Sequence, residues 1–208
     1  MNSALLIFIK NPELGKVKTR LAATVGDEKA LEVFRKLLVN IHDKSLNVSA
    51  DKLLFYSTFV DQNDIWENDI FHKNLQYQSP DLGQRMLSAF EKAKEMGYSK
   101  VLIVGSDIYE ISTEILNAGF ECLENSETVL GPSHDGGYYA IGFNFGKINS
   151  SNFLQDVFLN KTWSHEHVAQ DAIEVINSYS YNCNFLPKLS DIDTEEDLKK
   201  FSNLNNIL

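Results

Sequence analysis

"ALLIFIKNPELGKVKTR", residues 4–20, decides how the rest of the chain is read. Its opening run, Ala4 to Ile9, is apolar throughout. A strand with one face in water alternates between apolar and polar residues, whereas one that does not alternate is covered on both faces. The run then empties into a loop with four cations, Lys10, Lys16, Lys18 and Arg20, against one acid, Glu13, for a local charge of +3. In open α/β sheets, ligands bind beyond the carboxyl ends of the strands. A cationic loop in that position suits a phosphate or diphosphate, since backbone amides around Gly15 and the Lys and Arg heads can face it together. The bland alternative is a solvated basic loop, and the position directly after a buried strand favours anion binding. The loop is neither a Walker A sequence, because Lys10 stands where its first glycine belongs, nor GxGxxG.

Outward from this stretch, strand and helix patterns alternate. Strands are expected at Leu53–Ser57, more weakly at Asn74–Gln78, and then at Val101–Val104, Thr128–Leu130 and Tyr138–Phe143. Between them, Leu31, Phe34, Leu38 and Ile41 recur at helical spacing from Glu28, and Met86, Leu87, Phe90 and Ala93 do so within Leu82–Met96. A helix over Ser112–Leu123 has Ser112 or Thr113 as its cap, and Ser164 is placed to cap another through Ala169, Ala172, Ile173 and Ile176. Thr194 and Asp197 have capping-box spacing ahead of a last helix, and the Asn-rich tail, 202–208, is expected to fray. Such alternation predicts one α/β domain over residues 1–208, a Rossmann-like, mostly parallel sheet with helices on both faces.

Composition narrows the function classes. The 208 residues are 43% apolar and 23% charged, with a net charge of -10. That charge argues against nucleic acid as a partner, which requires a basic footprint. Cys122 and Cys183 form no CxxC motif and read as free thiols of a reducing compartment. No signal peptide is recognisable, and no apolar run approaches the ~18 residues of a membrane span. A cytoplasmic location is the expectation.

Three further loops carry unusual residues. Gly105-Ser106-Asp107 follows a buried strand, and an Asp there is placed to hold Mg²⁺ or Mn²⁺ against phosphate oxygens; it can equally be a simple turn residue. Residues 131–142, GPSHDGGYYAIG, set Gly136 and Gly137 beside Asp135, as if the backbone had to approach something closely. His134 in that loop reads more simply as a surface residue than as a base. Asp191 and Asp193 precede a helix N-terminus, where acids are favourable in any case. A zinc reading of His165-Glu166-His167 has no third ligand behind it, and the pair is expected in the first turn of a helix. Trp66 and Trp163 fit either the core or an acceptor pocket.

Together these loops, in order, are Lys10-x-Pro12-x-x-Gly15-x-Val17-Lys18-Thr19-Arg20-Leu21, Asp81-Leu82-Gly83-Gln84-Arg85-Met86, Gly105-Ser106-Asp107, the 131–142 stretch, and Asp191-Ile192-Asp193-Thr194-x-x-Asp197-Leu198. This set resembles the bacterial glycosyltransferase family associated with arsenosugar biosynthesis, formerly a domain of unknown function. That family is similar in fold to GT-A glycosyltransferases and to the molybdenum-cofactor and phospholactate guanylyltransferases. The resemblance implies a nucleotide-diphospho-sugar transferase fold. It also implies that Lys10, Gly15, Lys16, Lys18 and Arg20 hold phosphates, and that Asp81, Leu82, Gly83 and Arg85 lie near the nucleotide. Asp107 and Asp193, or less directly Asp191, would be the metal ligands, and Asp135, Gly136 and Gly137 would line the sugar or acceptor side. Catalysis would fall to Asp107, Asp135, Lys18 and Arg20. One position departs from the family pattern: a proline is usual two residues after the Gly-Ser-Asp aspartate, and here Tyr109 stands there, so positions 107 and 109 form no Asp-x-Asp pair either.

The leading expectation is a Mg²⁺- or Mn²⁺-dependent glycosyltransferase that moves a sugar from a nucleotide-diphospho-sugar to a small-molecule acceptor. Alternatives are a nucleotidyltransferase acting on a nucleoside triphosphate, and a degenerate nucleotide-binding protein. Base, sugar, acceptor and oligomeric state are not legible in the sequence.

Overall fold

The computed structural model describes residues 2–201. The Asn-rich tail lies outside them. Seven strands form one sheet in the order β3-β2-β1-β4-β6-β5-β7. They are β1 Ser3–Ile9, β2 Asp51–Tyr56, β3 Phe71–Leu75, β4 Lys100–Gly105, β5 Thr128–Pro132, β6 Tyr138–Asn144 and β7 Cys183–Phe185. All neighbours pair parallel except β6, which runs against both β4 and β5. The sheet is therefore mostly parallel, and the β5–β6 turn lies at the same edge as the carboxyl ends of the other strands.

The apolar run that opened the sequence becomes an interior strand of the sheet, with β2 on one side and β4 on the other. Successive side chains of a strand point to opposite faces. Leu5, Ile7 and Ile9 accordingly join one core cluster with Leu31, Phe34, Leu116 and Phe120, while Ala4 and Leu6 join another with Met86, Phe90, Phe153 and Ile176. The first face is covered by α2 (Asp27–Leu46) and α4 (Thr113–Asn125), and the second by α3 (Leu82–Glu95), α5 (Phe153–Phe158) and α6 (Val168–Ser178). Phe90, Phe143, Phe153 and Phe158 interlock at 4.8–5.9 Å between ring centres and fill the second face. A third, small cluster joins α1 (Thr19–Val25), α2 and α7 (Glu195–Lys199) through Leu21, Val33, Leu37, Ile192 and Leu198.

Several local expectations meet the structure directly. Ser112 caps α4 by accepting from the Ile115 amide, and Thr194 and Asp197 form a reciprocal capping box at α7. Others need correction. β3 lies three residues earlier than the pattern suggested, because this strand at the sheet edge buries one apolar side chain, Phe71, and carries little periodicity. Ser164 does not cap α6: it adopts a left-handed backbone (φ 65°), and His167 occupies the cap position. His165, Glu166 and His167 thus precede the helix rather than forming its first turn. The short elements α1, α5 and β7 were not anticipated. Both cysteines are free thiols, and among the described residues no helix is long and apolar enough to cross a membrane.

Candidate functional site

The loop after β1 is tied down before it reaches its cations. Asn11 is buried, and its carboxamide oxygen accepts from the Thr58 amide at 3.0 Å and hydroxyl at 2.8 Å, while its Nδ2 donates to the Phe59 carbonyl at 2.9 Å. The end of β1 is thereby stapled to the end of β2. The chain then turns into α1 through Lys18, which holds φ 47° and ψ 44°. A side chain other than glycine, Asn or Asp resists that left-handed region, and strain of this kind costs on the order of 1–3 kcal/mol.

The turn drives the Lys18 side chain inward, where only 3% of it is exposed. Its ammonium lies 3.1 Å from Asp193 Oδ1 and 3.2 Å from Asp107 Oδ1. Asp107 sits just past β4, and its carbonyl accepts from the Ile192 amide at 3.2 Å. Asp193 sits just before the capping box of α7, its amide donating to Asp197 Oδ2 at 3.3 Å. Arg20, largely exposed, approaches the other oxygen of Asp193 at 3.5 Å.

Two more carboxylates face this centre. Asp135 accepts from the Ser133 hydroxyl and, at 3.0 Å, from the Gly137 amide, so the β5–β6 turn fixes its orientation. Asp191 pairs in a short bridge with Ile108. Burial pushes its carboxyl up to about 7, helped by repulsion from Asp135, Asp107 and Asp193, with Lys18 acting in the opposite sense. Four acids thus surround one buried lysine. Repulsion among like charges is relieved by an added cation, so this donor set suits a divalent ion. Among the described residues no three His, Cys, Asp or Glu groups are arranged to hold a metal by themselves. Two carboxylates together with a ligand's own phosphate oxygens fit that arrangement.

Two adjoining spaces open here. One, of about 420 Å³, is polar and touches Lys10, Lys16, Lys18, Arg20, Asp107 and Asp193. The other, of about 630 Å³, runs from Asp107, Asp135 and Asp191 past Gly137 and Tyr138 to Leu82, Arg85 and Trp163, and toward Ser57, Thr58 and Gln78 at the ends of β2 and β3. The β1 loop, Asp107, the β5–β6 turn and the segment before α7 therefore meet at one edge of the sheet.

Some expected site residues do not reach these spaces. Asp81 is the N-cap of α3, accepting from the Gly83 and Gln84 amides, and also accepts from the Trp163 indole at 3.2 Å. Gly83 is a packing position: a Cβ there would collide with the Phe158 carbonyl and lie 2.8 Å from the Trp163 ring. Gly136, at φ 92°, lets the turn pass against the Glu166 backbone, so the close approach inferred for it is to protein; Gly137 does face the cleft. Gly15, at φ 72°, shapes the loop beside Asp27. Tyr109 packs edge-on against Phe201 over the third cluster and lines neither space, so the departure from the family pattern falls outside the cleft. Sequence reasoning missed Asn11, Gln76 and Tyr138. Only the polar residues closing weak β3 hinted at Gln76.

No curated protein matches the chain in sequence. Among solved structures, a protein of Desulfovibrio desulfuricans G20, provisionally named a nucleotide-diphospho-sugar transferase, is 32% identical with a TM-score of 0.82, covering 93% of this chain and 83% of that one. The 4-diphosphocytidyl-2C-methyl-D-erythritol synthase of Anaerococcus prevotii DSM 20548 shares 13% identity with a TM-score of 0.61, covering 98% of each chain. A CMP:2-keto-3-deoxy-manno-octonic acid synthetase bound to CTP shares 8% identity with a TM-score of 0.59, covering 99% of each. The last two similarities speak to the fold, which is that of nucleotide-diphospho-sugar transferases. Residues 43–165 match the pattern of a family described as "Uncharacterized protein conserved in bacteria (DUF2064)". That match spans more than half of the sequence, and with the Desulfovibrio similarity over nearly its whole length, the chain belongs to this family.

Proposed function

We propose that the protein is a divalent-metal-dependent transferase that moves a sugar from a nucleotide-diphospho-sugar to a small-molecule acceptor. The observation that carries this reading is the buried Lys18 ammonium, shared by Asp107 and Asp193 beside a compartment lined by Lys10, Lys16 and Arg20. The Desulfovibrio protein, by its name, supports the same class. The association with arsenosugar biosynthesis belongs to this proposal and is carried by the motif resemblance.

In this reading Lys10, Lys16 and Arg20 hold the diphosphate. Lys18 keeps Asp107 and Asp193 together, and its remaining N–H faces the ligand. Asp107 and Asp193 would hold Mg²⁺ or Mn²⁺, which would add stabilisation of charge on the leaving group. Preorganised cations of the loop act where that charge develops, which is the main catalytic contribution. Asp135, fixed by Ser133 and Gly137, orients the acceptor hydroxyl as it attacks the anomeric carbon and the bond to the diphosphate breaks.

A second reading is nucleotidyl transfer, in which a nucleophile attacks the α-phosphorus of a nucleoside triphosphate and pyrophosphate leaves. Four cations on one loop favour it, since they match a triphosphate as well as a diphosphate. The test is product release. Nucleoside diphosphate freed from a nucleotide sugar supports the first reading, pyrophosphate freed from a triphosphate supports the second, and neither, across a full base panel with Mg²⁺ or Mn²⁺, refutes both. Thermal stabilisation by the same panel identifies the base, since a ligand at ~100 times its Kd adds about 2.7 kcal/mol.

A further inference from the structure

The segment between α5 and α6 is held in a conformation that Asn160 tolerates and Ser164 does not favour. Asn160 (φ 56°) and Ser164 (φ 65°) both have left-handed backbones, and between them they present Trp163 at the wall of the larger space. Non-glycine residues in this region mark places where surrounding structure imposes the geometry. Here the imposing contacts are visible. The Trp163 Nε1–H donates to Asp81 Oδ1 at 3.2 Å, and the indole occupies the volume that a side chain at position 83 would fill. Asp81 and Gly83, which the resemblance placed near a nucleotide, form a socket for this indole, while Leu82 between them lines the larger space.

Behind the indole lies a second irregularity. The Tyr138 hydroxyl is fully buried and has no hydrogen-bond partner among the described residues. It shares a small pocket with Trp163, Thr162 and Asp171. Leaving a buried polar group unmatched costs about 1–3 kcal/mol, and such groups are uncommon in folded proteins. One strained serine, an unmatched phenol and a helix glycine thus surround one feature, a fixed indole at the wall of an open cleft. Buried Trp side chains in a core require none of this; Trp66, packed on His42 and Phe71, has ordinary surroundings.

We propose that Trp163 is a stacking platform that binds a ring of the substrate, with Asp81 and Gly83 as positioning residues that act through it. The proposal rests on the transferase reading of the cleft. The shared chemistry of its ligand is a flat or apolar ring face linked to phosphate, which either a nucleobase or a pyranose supplies. Stacking on an aromatic side chain changes affinity about 5- to 150-fold per ring. The charged end of the same ligand lies in the other space, so the two contributions are separable.

The sequence contains two tryptophans, and Trp66 is buried in the first core cluster and lines neither space. Trp66→Phe leaves Trp163 as the sole indole. In that variant, with Mg²⁺, titration with nucleoside diphosphates and nucleotide sugars should quench the emission, while pyrophosphate should raise the melting temperature without quenching. Quenching by nucleoside diphosphates assigns the ring to the base; quenching by nucleotide sugars alone assigns it to the sugar. In the otherwise unaltered chain, Trp163→Ala should weaken those ring-bearing ligands about ten-fold or more, and pyrophosphate about two-fold or less. Trp163→Phe, which keeps a ring but lacks the N–H for Asp81, should fall between.

Equal weakening of pyrophosphate and nucleotides in Trp163→Ala would make the residue a structural support and overturn the platform. Nucleotide binding with unchanged emission and unchanged affinity would overturn it too, leaving the anion site and the transferase reading in place. Failure of pyrophosphate to bind while ring compounds still quench Trp163 would remove the transferase reading and leave the platform standing. If nothing binds, both fall.

Discussion

Asp64 and Asp107 follow neighbouring parts of the sheet, yet the protein treats them in opposite ways. Asp64 accepts from Lys73 at 2.8 Å, from the Trp66 amide at 3.1 Å and from the Tyr56 hydroxyl. The nearby His42 stands between Glu67 and Asp43, both at 2.9 Å, with its ring against Trp66 and Phe71. Each of those carboxylates has a cationic or imidazole partner against it. In the cleft, Asp107, Asp135, Asp191 and Asp193 gather near one buried ammonium. A matched cluster is complete in itself and explains a fold, whereas an unmatched one is complete only when something else is bound.

The sharpest way to break this contrast is to remove a cleft acid. Asp107→Ala should lower turnover by on the order of 10²-fold or more, as expected for a preorganised charge contact. Its melting temperature should change little, because Asp107 is partly exposed. Wild-type rates in that variant, assayed by product release, would make the cleft acids ornamental.

Lys73→Met makes the opposite demand. It strips the cation from Asp64, and loss of one member of a largely buried pair should destabilise the fold by about 2–3 kcal/mol in urea unfolding. Nucleotide affinity should stay at the wild-type value. A Lys73 variant that loses nucleotide binding while keeping its stability would reverse the two regions' roles.

Asp191→Asn sharpens the comparison from inside the cleft. Taking one acid from the crowded set should stabilise the metal-free protein by about 1 kcal/mol at pH 8. Added Mg²⁺ should narrow that gap, since the cation relieves the same repulsion. A destabilised variant in a melting experiment would mean that the four charges are already compensated.

The smallest effect belongs to His42. Burial lowers the basicity of its ring, but hydrogen bonds to Glu67 and Asp43 outweigh burial and leave the pKa raised. A raised value in the folded state means that the protonated ring stabilises the fold fully below the unfolded value near 6.5, and that this contribution fades as pH rises through the folded value. Compared with His42→Gln, the wild-type protein should therefore hold its largest advantage in melting temperature near pH 5.5 and lose it by pH 8.5. An advantage that grows with pH would show the ring to be neutral in the fold.

The fold was legible because an interior strand and its flanking helices carry local signals, such as the unbroken run at Ala4 to Ile9 and the caps at Ser112 and Thr194. What the sequence concealed was partner identity. Gly136 announced close approach, but not that the approaching atoms were those of Glu166, and no local signal told that Gly83 packs against Phe158 and Trp163. Lys18 was visible as a cation, and nothing local forecast its left-handed turn into the protein. Asp191 looked like one of two helix-cap acids until the bridge to Ile108 brought it alongside Asp107. Each of these depends on contacts across distant segments, which no window of neighbouring residues contains.

The bond between Lys18 and Asp193 joins positions 175 residues apart. Its two ends belong to the first helix and to the approach to the last one, so a chain leaving the ribosome completes its whole sheet before this contact is possible. Contacts so far apart in sequence form late and slowly. Under the proposed transferase reading, the centre would thus close only after the sheet, and a copy truncated before Asp193 would lack it however well its sheet had formed.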